Sequence, residues 1–98
     1  MSPFLFWLLR LGMLLHRRKA NIIVDGDFNT ALKDFETLHP TDVKSISTPW
    51  GTGKTGNIDN GFVATVRPGS SYGKPTLEVR NPLNRRGLEF RYELKENL

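Results

Sequence analysis

The sequence contains no cysteine, which excludes disulfides, thiol nucleophiles and cysteine-based zinc sites. Histidine is scarce. His16 and His39 are the only two, they lack the H-x-x-x-H spacing, and without carboxylate help they cannot hold a metal ion. Long hydrophobic runs are missing as well. The apolar stretch 3–15 is broken by Arg10 and as a helix would cover roughly 20 Å, short of the roughly 30 Å hydrocarbon core of a bilayer. What remains is a chain of 98 residues, 38% hydrophobic and 24% charged, enough for one core and not for two. With no disulfide to staple it, its stability must come from packing.

The formal charge is +4, and its distribution is uneven. Arg10, Arg17, Arg18 and Lys19 gather near the amino end, Asp27, Asp34, Glu36 and Asp42 make residues 27–43 net acidic, and residues 44–91 are again basic. Such asymmetry suits a phosphate-bearing or acidic partner, and it also suits a solvated, charged sheet face.

Residues 1–20 read as an apolar and basic leader, and residues 21–98 as an α+β domain. In the leader the basic cluster follows the apolar run, whereas a secretory signal places charge before it. Three readings of the leader stand: a helix on a membrane surface, a helix packed on the domain, and a non-native leader from an upstream start codon. A separate apolar helix with few contacts to the domain is the expectation.

Asn21–Val24 reads as a short extended piece ending in a turn, after which Asp25 or Asp27 can cap a helix. Phe28, Ala31, Leu32, Phe35 and Leu38 recur at the spacing of one helical face, which predicts an amphipathic helix near 27–38. His39-Pro40 ends it, because the residue before proline is driven out of the helical region. Val43, Ile46 and Trp50 read as apolar pins in a connector. Seven of the nine glycines lie between Gly51 and Gly87, favouring strands joined by tight turns. Strands are expected near 61–67, 75–80 and 88–93, with a weaker one over 54–58. Together these give a three- to four-stranded antiparallel sheet covered on one face by the helix.

Period-two alternation sends Leu77, Val79, Leu88, Phe90 and Tyr92 toward the helix. Thr65, Arg67, Thr76, Glu78, Arg80, Glu89, Arg91 and Glu93 then share the opposite, solvent-facing side. Cross-strand ion pairing is one explanation for charges so arranged. A phosphodiester site is the other, with guanidinium groups binding phosphate through paired hydrogen bonds and a carboxylate moving a proton.

Trp50-Gly51-Thr52-Gly53-Lys54-Thr55-Gly56 is not a nucleotide-binding P-loop, since Thr48 stands where that motif needs its first glycine. It can still offer Lys54 to one phosphate. In the loop from Arg67 to Pro75, the Ser70 and Ser71 hydroxyls lie between Arg67 and Lys74, an arrangement that suits an oxyanion or an ordinary polar loop equally.

The run Gly-Thr-Gly-Lys-Thr-Gly (51–56), the turn Asp59-Asn60-Gly61, then Val66-Arg67-Pro68-Gly69-Ser70-Ser71, Pro75-Thr76-Leu77-Glu78-Val79 and Glu89-Phe90-Arg91-Tyr92 resemble the carboxy-terminal toxin domains of bacterial polymorphic toxins. These tips are carried by contact-dependent inhibition and Rhs-type proteins. The resemblance covers roughly residues 28–93 and implies a small ribonuclease of the barnase, EndoU, colicin and RelE group, with a helix followed by a curved antiparallel sheet. It also implies a cognate immunity protein as partner and the cytoplasm of a target bacterium as site of action. Toxin tips ordinarily end a long secreted chain, so this one reads as an orphan module or a relic.

The expected activity is metal-independent cleavage of RNA, tRNA among the candidates, without a cofactor. Arg67 and Arg91 would neutralise the scissile phosphate, Glu78 would serve as acid or base at the ribose 2′-hydroxyl, and Ser71 and Thr76 would orient phosphate oxygens. Lys54, Ser70, Lys74, Arg80, Arg85 and Arg86 would hold the RNA backbone. His39, in a loop beside Pro40, reads as a helix-terminating surface residue. Two other readings stand beside this one: a non-catalytic module binding nucleic acid or an acidic partner, and a small membrane-surface protein acting through residues 3–19.

Overall fold

The computed structural model describes residues 20–70, 73–83 and 86–94. The leader expected over 1–20 lies outside these residues except for its last position, and Ser71 and Arg85 lie outside them too. Among the described residues no helix is long and apolar enough to cross a membrane.

The chain runs β1 (Ala20–Asp25), α1 (Phe28–Thr37), β2 (Thr41–Thr48), β3 (Gly51–Asn57), a 3-10 turn (Asp59–Gly61), β4 (Val63–Arg67), β5 (Thr76–Arg80) and β6 (Gly87–Glu93). All six strands form one sheet in the order β1-β6-β5-β4-β3-β2. The class is α+β, but the three- to four-stranded antiparallel expectation is corrected on two points. The sheet has six strands, and β1 runs parallel to its neighbour β6. The strands missed have weak alternation: β2 is Thr-Asp-Val-Lys-Ser-Ile-Ser-Thr, exposed along most of its length at the sheet's edge. With neither face buried, β2 is under no pressure to carry a period-two apolar pattern.

Helix α1 begins where the sequence puts it. The Asp27 carboxylate accepts from the Thr30 N–H (3.1 Å), while the Thr30 hydroxyl accepts from the Asp27 N–H (3.2 Å), a reciprocal cap on the first turn. The helix stops at Leu38, and His39 follows in the left-handed region at φ 54° before Pro40.

The core lies between α1 and the centre of the sheet. Ala31, Phe35 and Leu38 pack on Ala64 and Val66 of β4, Leu77 and Val79 of β5, and Leu88, Phe90 and Tyr92 of β6. Ile22 and Val24 of β1 add to its margin. Tyr92 ties the two layers together by donating its hydroxyl to Asp34 Oδ2 on α1 at 2.8 Å. Burial, then the bond to Asp34 and its charge, push the Tyr92 phenol well above its ordinary range.

Two glycines in the strands are there because neighbouring backbones come close. A Cβ at Gly53 would collide with the Val66 carbonyl oxygen, and one at Gly87 with the Val79 carbonyl oxygen. Much of the glycine-rich sequence from Gly51 is therefore strand as well as turn.

Candidate functional site

Strand register builds the face opposite α1 in rows. Thr65, Glu78 and Glu89 stand opposite one another across β4, β5 and β6, and Arg67, Thr76 and Arg91 form the next row. Arg80 occupies the row on the other side of Glu78, opposite Val63 and Gly87. One face thus presents Arg67, Arg80 and Arg91 around the glutamate pair Glu78 and Glu89.

This face is largely buried, where an exposed polar surface was expected. Thr76 is 0% exposed, Glu78 5% and Glu89 8%. The arginines lie along the face rather than extending outward. Glu89 Oε1 accepts from Arg91 Nε at 3.2 Å, and Glu89 Oε2 stands 3.6 Å from a terminal nitrogen of Arg67. A carboxylate between two guanidinium groups holds both in place and offsets the repulsion that two directly opposed glutamates would otherwise cause. At the next positions toward the sheet's edge, the Thr55 and Thr65 hydroxyls meet at 3.0 Å.

Arg67 and Arg80 keep donors that these bonds do not use. Arg67 Nε and Arg80 Nε are buried and have no hydrogen-bond partner among the described residues. A guanidinium group carries five N–H donors and no acceptor, and a buried donor left unmade carries a desolvation cost. An oxyanion reaching such donors would satisfy them and add charge attraction.

Of the residues assigned catalytic roles from the sequence, the structure gathers Arg67, Thr76, Glu78 and Arg91 on this face, and Arg80 joins them. Thr76 has a different task from the one expected. Its hydroxyl donates to the Lys74 carbonyl at 3.0 Å, so it shapes the end of the β4–β5 loop instead of presenting its proton to a phosphate. Lys54 is on the other side of the sheet: it stands opposite Val66, on the helix side. There it borders a cleft of about 420 Å³ with Phe35, Glu36, His39, Pro40 and Val43. Lys54 and His39 are therefore remote from the arginines. Lys74 sits at the loop's end, 3.8 Å from Glu93. Ser70 is buried at the start of the same loop, where its carbonyl accepts from Gly73 N–H at 2.8 Å. Arg86 is exposed beyond β5, its carbonyl accepting from Asn81 N–H at 2.8 Å.

The residue that the sequence roles omitted is Glu89. Its alternation with Arg91 puts it on the polar face, but only the register sets it opposite Glu78 and within reach of Arg67. Among the described residues no three His, Asp or Glu side chains converge as metal ligands would, and positive charge on this face comes from guanidinium groups.

Comparison of the chain with protein-family models, with curated proteins and with solved structures returned no match.

Proposed function

We propose that this chain is a ribonuclease that cleaves RNA by transphosphorylation, using arginines rather than a metal ion to stabilise charge. The observation that supports this reading best is the pair of buried arginine donors without hydrogen-bond partners among the described residues, Arg67 Nε and Arg80 Nε, on the same face as two opposed carboxylates. Phosphodiester cleavage needs both parts: donors fixed where negative charge develops, and a group that moves a proton.

In the proposed mechanism Arg67 and Arg91 bind the non-bridging oxygens of the scissile phosphate, and Arg80 takes an adjacent phosphate or the far side of the same one. Glu78 removes the proton from the ribose 2′-hydroxyl as its oxygen attacks phosphorus. The bond to the 5′-oxygen breaks, that oxygen takes a proton from solvent water, Glu78 returns its own proton to the hydroxide so formed, and the product carries a 2′,3′-cyclic phosphate. Glu89 acts as a positioning residue: both its oxygens are engaged by arginines, so it orients the guanidinium groups and leaves proton transfer to Glu78. Domains of this kind in polymorphic toxins, which the sequence resembles, act inside a target bacterium and are held in check by an immunity protein. We extend both expectations to this chain, with tRNA among the substrates.

A second reading draws on the same ion pairs. Glu89 cancels part of the arginines' charge, which suits a static module that holds nucleic acid without cutting it. Glu78→Gln separates the two readings. If the chain is a nuclease, the variant keeps its affinity for a 2′-O-methylated RNA that cannot be cleaved and loses turnover on the unmodified RNA. If it only binds, wild type and variant both retain the RNA and neither degrades it.

A further inference from the structure

We propose that the Trp50 indole is a stacking platform for a nucleobase, placed beside the phosphate that Arg67 holds. This inference rests on reading the arginine face as a phosphodiester site.

Trp50 stands in the two-residue turn between β2 and β3, and about half of it is exposed (48%). A lone exposed aromatic residue is unremarkable on a protein surface. This one is held in place. Its backbone N–H donates to the Thr48 hydroxyl at 3.2 Å, and that hydroxyl donates onward to the Gly51 carbonyl. The turn is also docked on the segment that follows Arg67. A Cβ at Gly51 would lie 3.2 Å from Pro68 Cγ, and a Cβ at Gly69 would fall 2.8 Å from the indole Cγ and 3.0 Å from its Cδ1. Gly69 is buried and is not among the residues with positive φ. Glycine at 69 is therefore explained by the ring that lies against it, and not by backbone conformation.

The consequence is an aromatic ring whose pyrrole atoms are backed by Gly69, on a residue left about half exposed. The ring adjoins the segment that follows Arg67 at the end of β4, so a nucleotide whose phosphate Arg67 holds would carry its base toward it. Every base has a π face, and single-stranded RNA is commonly read by splaying bases onto aromatic side chains. Trp50 offers the largest such surface of any side chain, so purines should be favoured over pyrimidines.

The test uses the full chain carrying Trp7→Phe, which leaves Trp50 as the single tryptophan. Adenosine 5′-monophosphate, ribose 5-phosphate and inorganic phosphate are titrated separately, following tryptophan emission and measuring affinity by calorimetry. The nucleotide should quench Trp50 and bind about 10- to 100-fold more tightly than ribose 5-phosphate, the range expected for base–aromatic stacking. Trp50→Ala should erase that advantage while leaving the affinity for ribose 5-phosphate unchanged. Trp50→Phe, which keeps a ring to brace the hairpin, should fall between. Equal affinities for the nucleotide and ribose 5-phosphate with Trp50 in place, or an advantage that survives Trp50→Ala, would overturn the platform while leaving the phosphate site standing. Failure of all three compounds to bind would overturn the phosphodiester reading itself, and the platform with it.

Discussion

Glu78 on β5 and Glu89 on β6 stand directly opposite each other in the antiparallel register, both largely buried, and Glu89 lies between the Arg67 and Arg91 guanidinium groups. Like charges facing each other across strands destabilise a sheet. Keeping this pair is a local conflict of the kind that functional sites tolerate. The two carboxylates should therefore respond differently to substitution. Glu78→Gln, which keeps the side chain's size and removes the charge that faces Glu89, is expected to cost less stability than Glu89→Ala and to lower the RNA cleavage rate about 100-fold or more, the usual weight of a general acid or base. Glu89→Ala removes the anion between two arginines and should cost about 3 kcal/mol of stability. Equal effects of the two substitutions on unfolding would contradict the division of roles.

Tyr92 links α1 to β6 through its bond to Asp34. Tyr92→Phe should destabilise the domain by about 1–2 kcal/mol, since it leaves a partly buried carboxylate short of a donor. Because the folded phenol has a raised pKa, its contribution is complete below the ordinary phenol range near pH 10 and is lost as pH rises beyond it. Spectrophotometric titration should show Tyr92 ionising only together with alkaline unfolding. Ionisation of both tyrosines at ordinary pH in the folded protein would be inconsistent with this environment.

At the helix's other end the Asp27 carboxylate accepts the Thr30 N–H, which lowers its pKa. A depressed carboxylate pKa adds stability above about pH 4 that is lost as pH falls through the folded value. Asp27→Ala should lower the thermal midpoint at pH 7 and have a smaller effect at pH 2.5, where the cap is already protonated. Melting curves at the two pH values check this.

Gly87 is the residue where β6 meets the β5 backbone too closely for a side chain. Gly87→Ala should cost about 1–3 kcal/mol, the usual penalty for overfilling a packed site, and chemical denaturation would measure it. Gly73→Ala offers a contrast. A Cβ there meets nothing within 4 Å, but φ is +75°, so any cost comes from backbone strain alone.

Much of this arrangement was legible in the residues. The spacing of Phe28, Ala31, Phe35 and Leu38 located the helix, and alternation in Thr76–Arg80 and Leu88–Glu93 separated the core face from the polar one. Less legible were the elements held by neighbours instead of by their own pattern. β2 has no buried face to shape its composition, and β1 is a short run whose partner, β6, lies at the far end of the described chain. For the site, alternation was enough to put Arg67, Glu78 and Arg91 on one side. It could not reveal that Glu89 joins two arginines, because that depends on register. Lys54 shows the converse: a basic residue in a glycine-rich run suggested phosphate, whereas the pairing of β3 with β4 turns it to the helix side.

The central claim is that the Arg67–Glu89–Arg91 face, with Glu78 opposite, cleaves RNA without a metal ion. The direct measurement incubates the purified full chain with end-labelled RNA in excess chelator, resolves the products on a denaturing gel and identifies their new ends by mass spectrometry. The account predicts fragments ending in 2′,3′-cyclic phosphate, undiminished by chelator and absent with Arg67→Ala or Glu78→Gln. Intact RNA with the folded wild-type protein, or cleavage that persists in both variants, would contradict it.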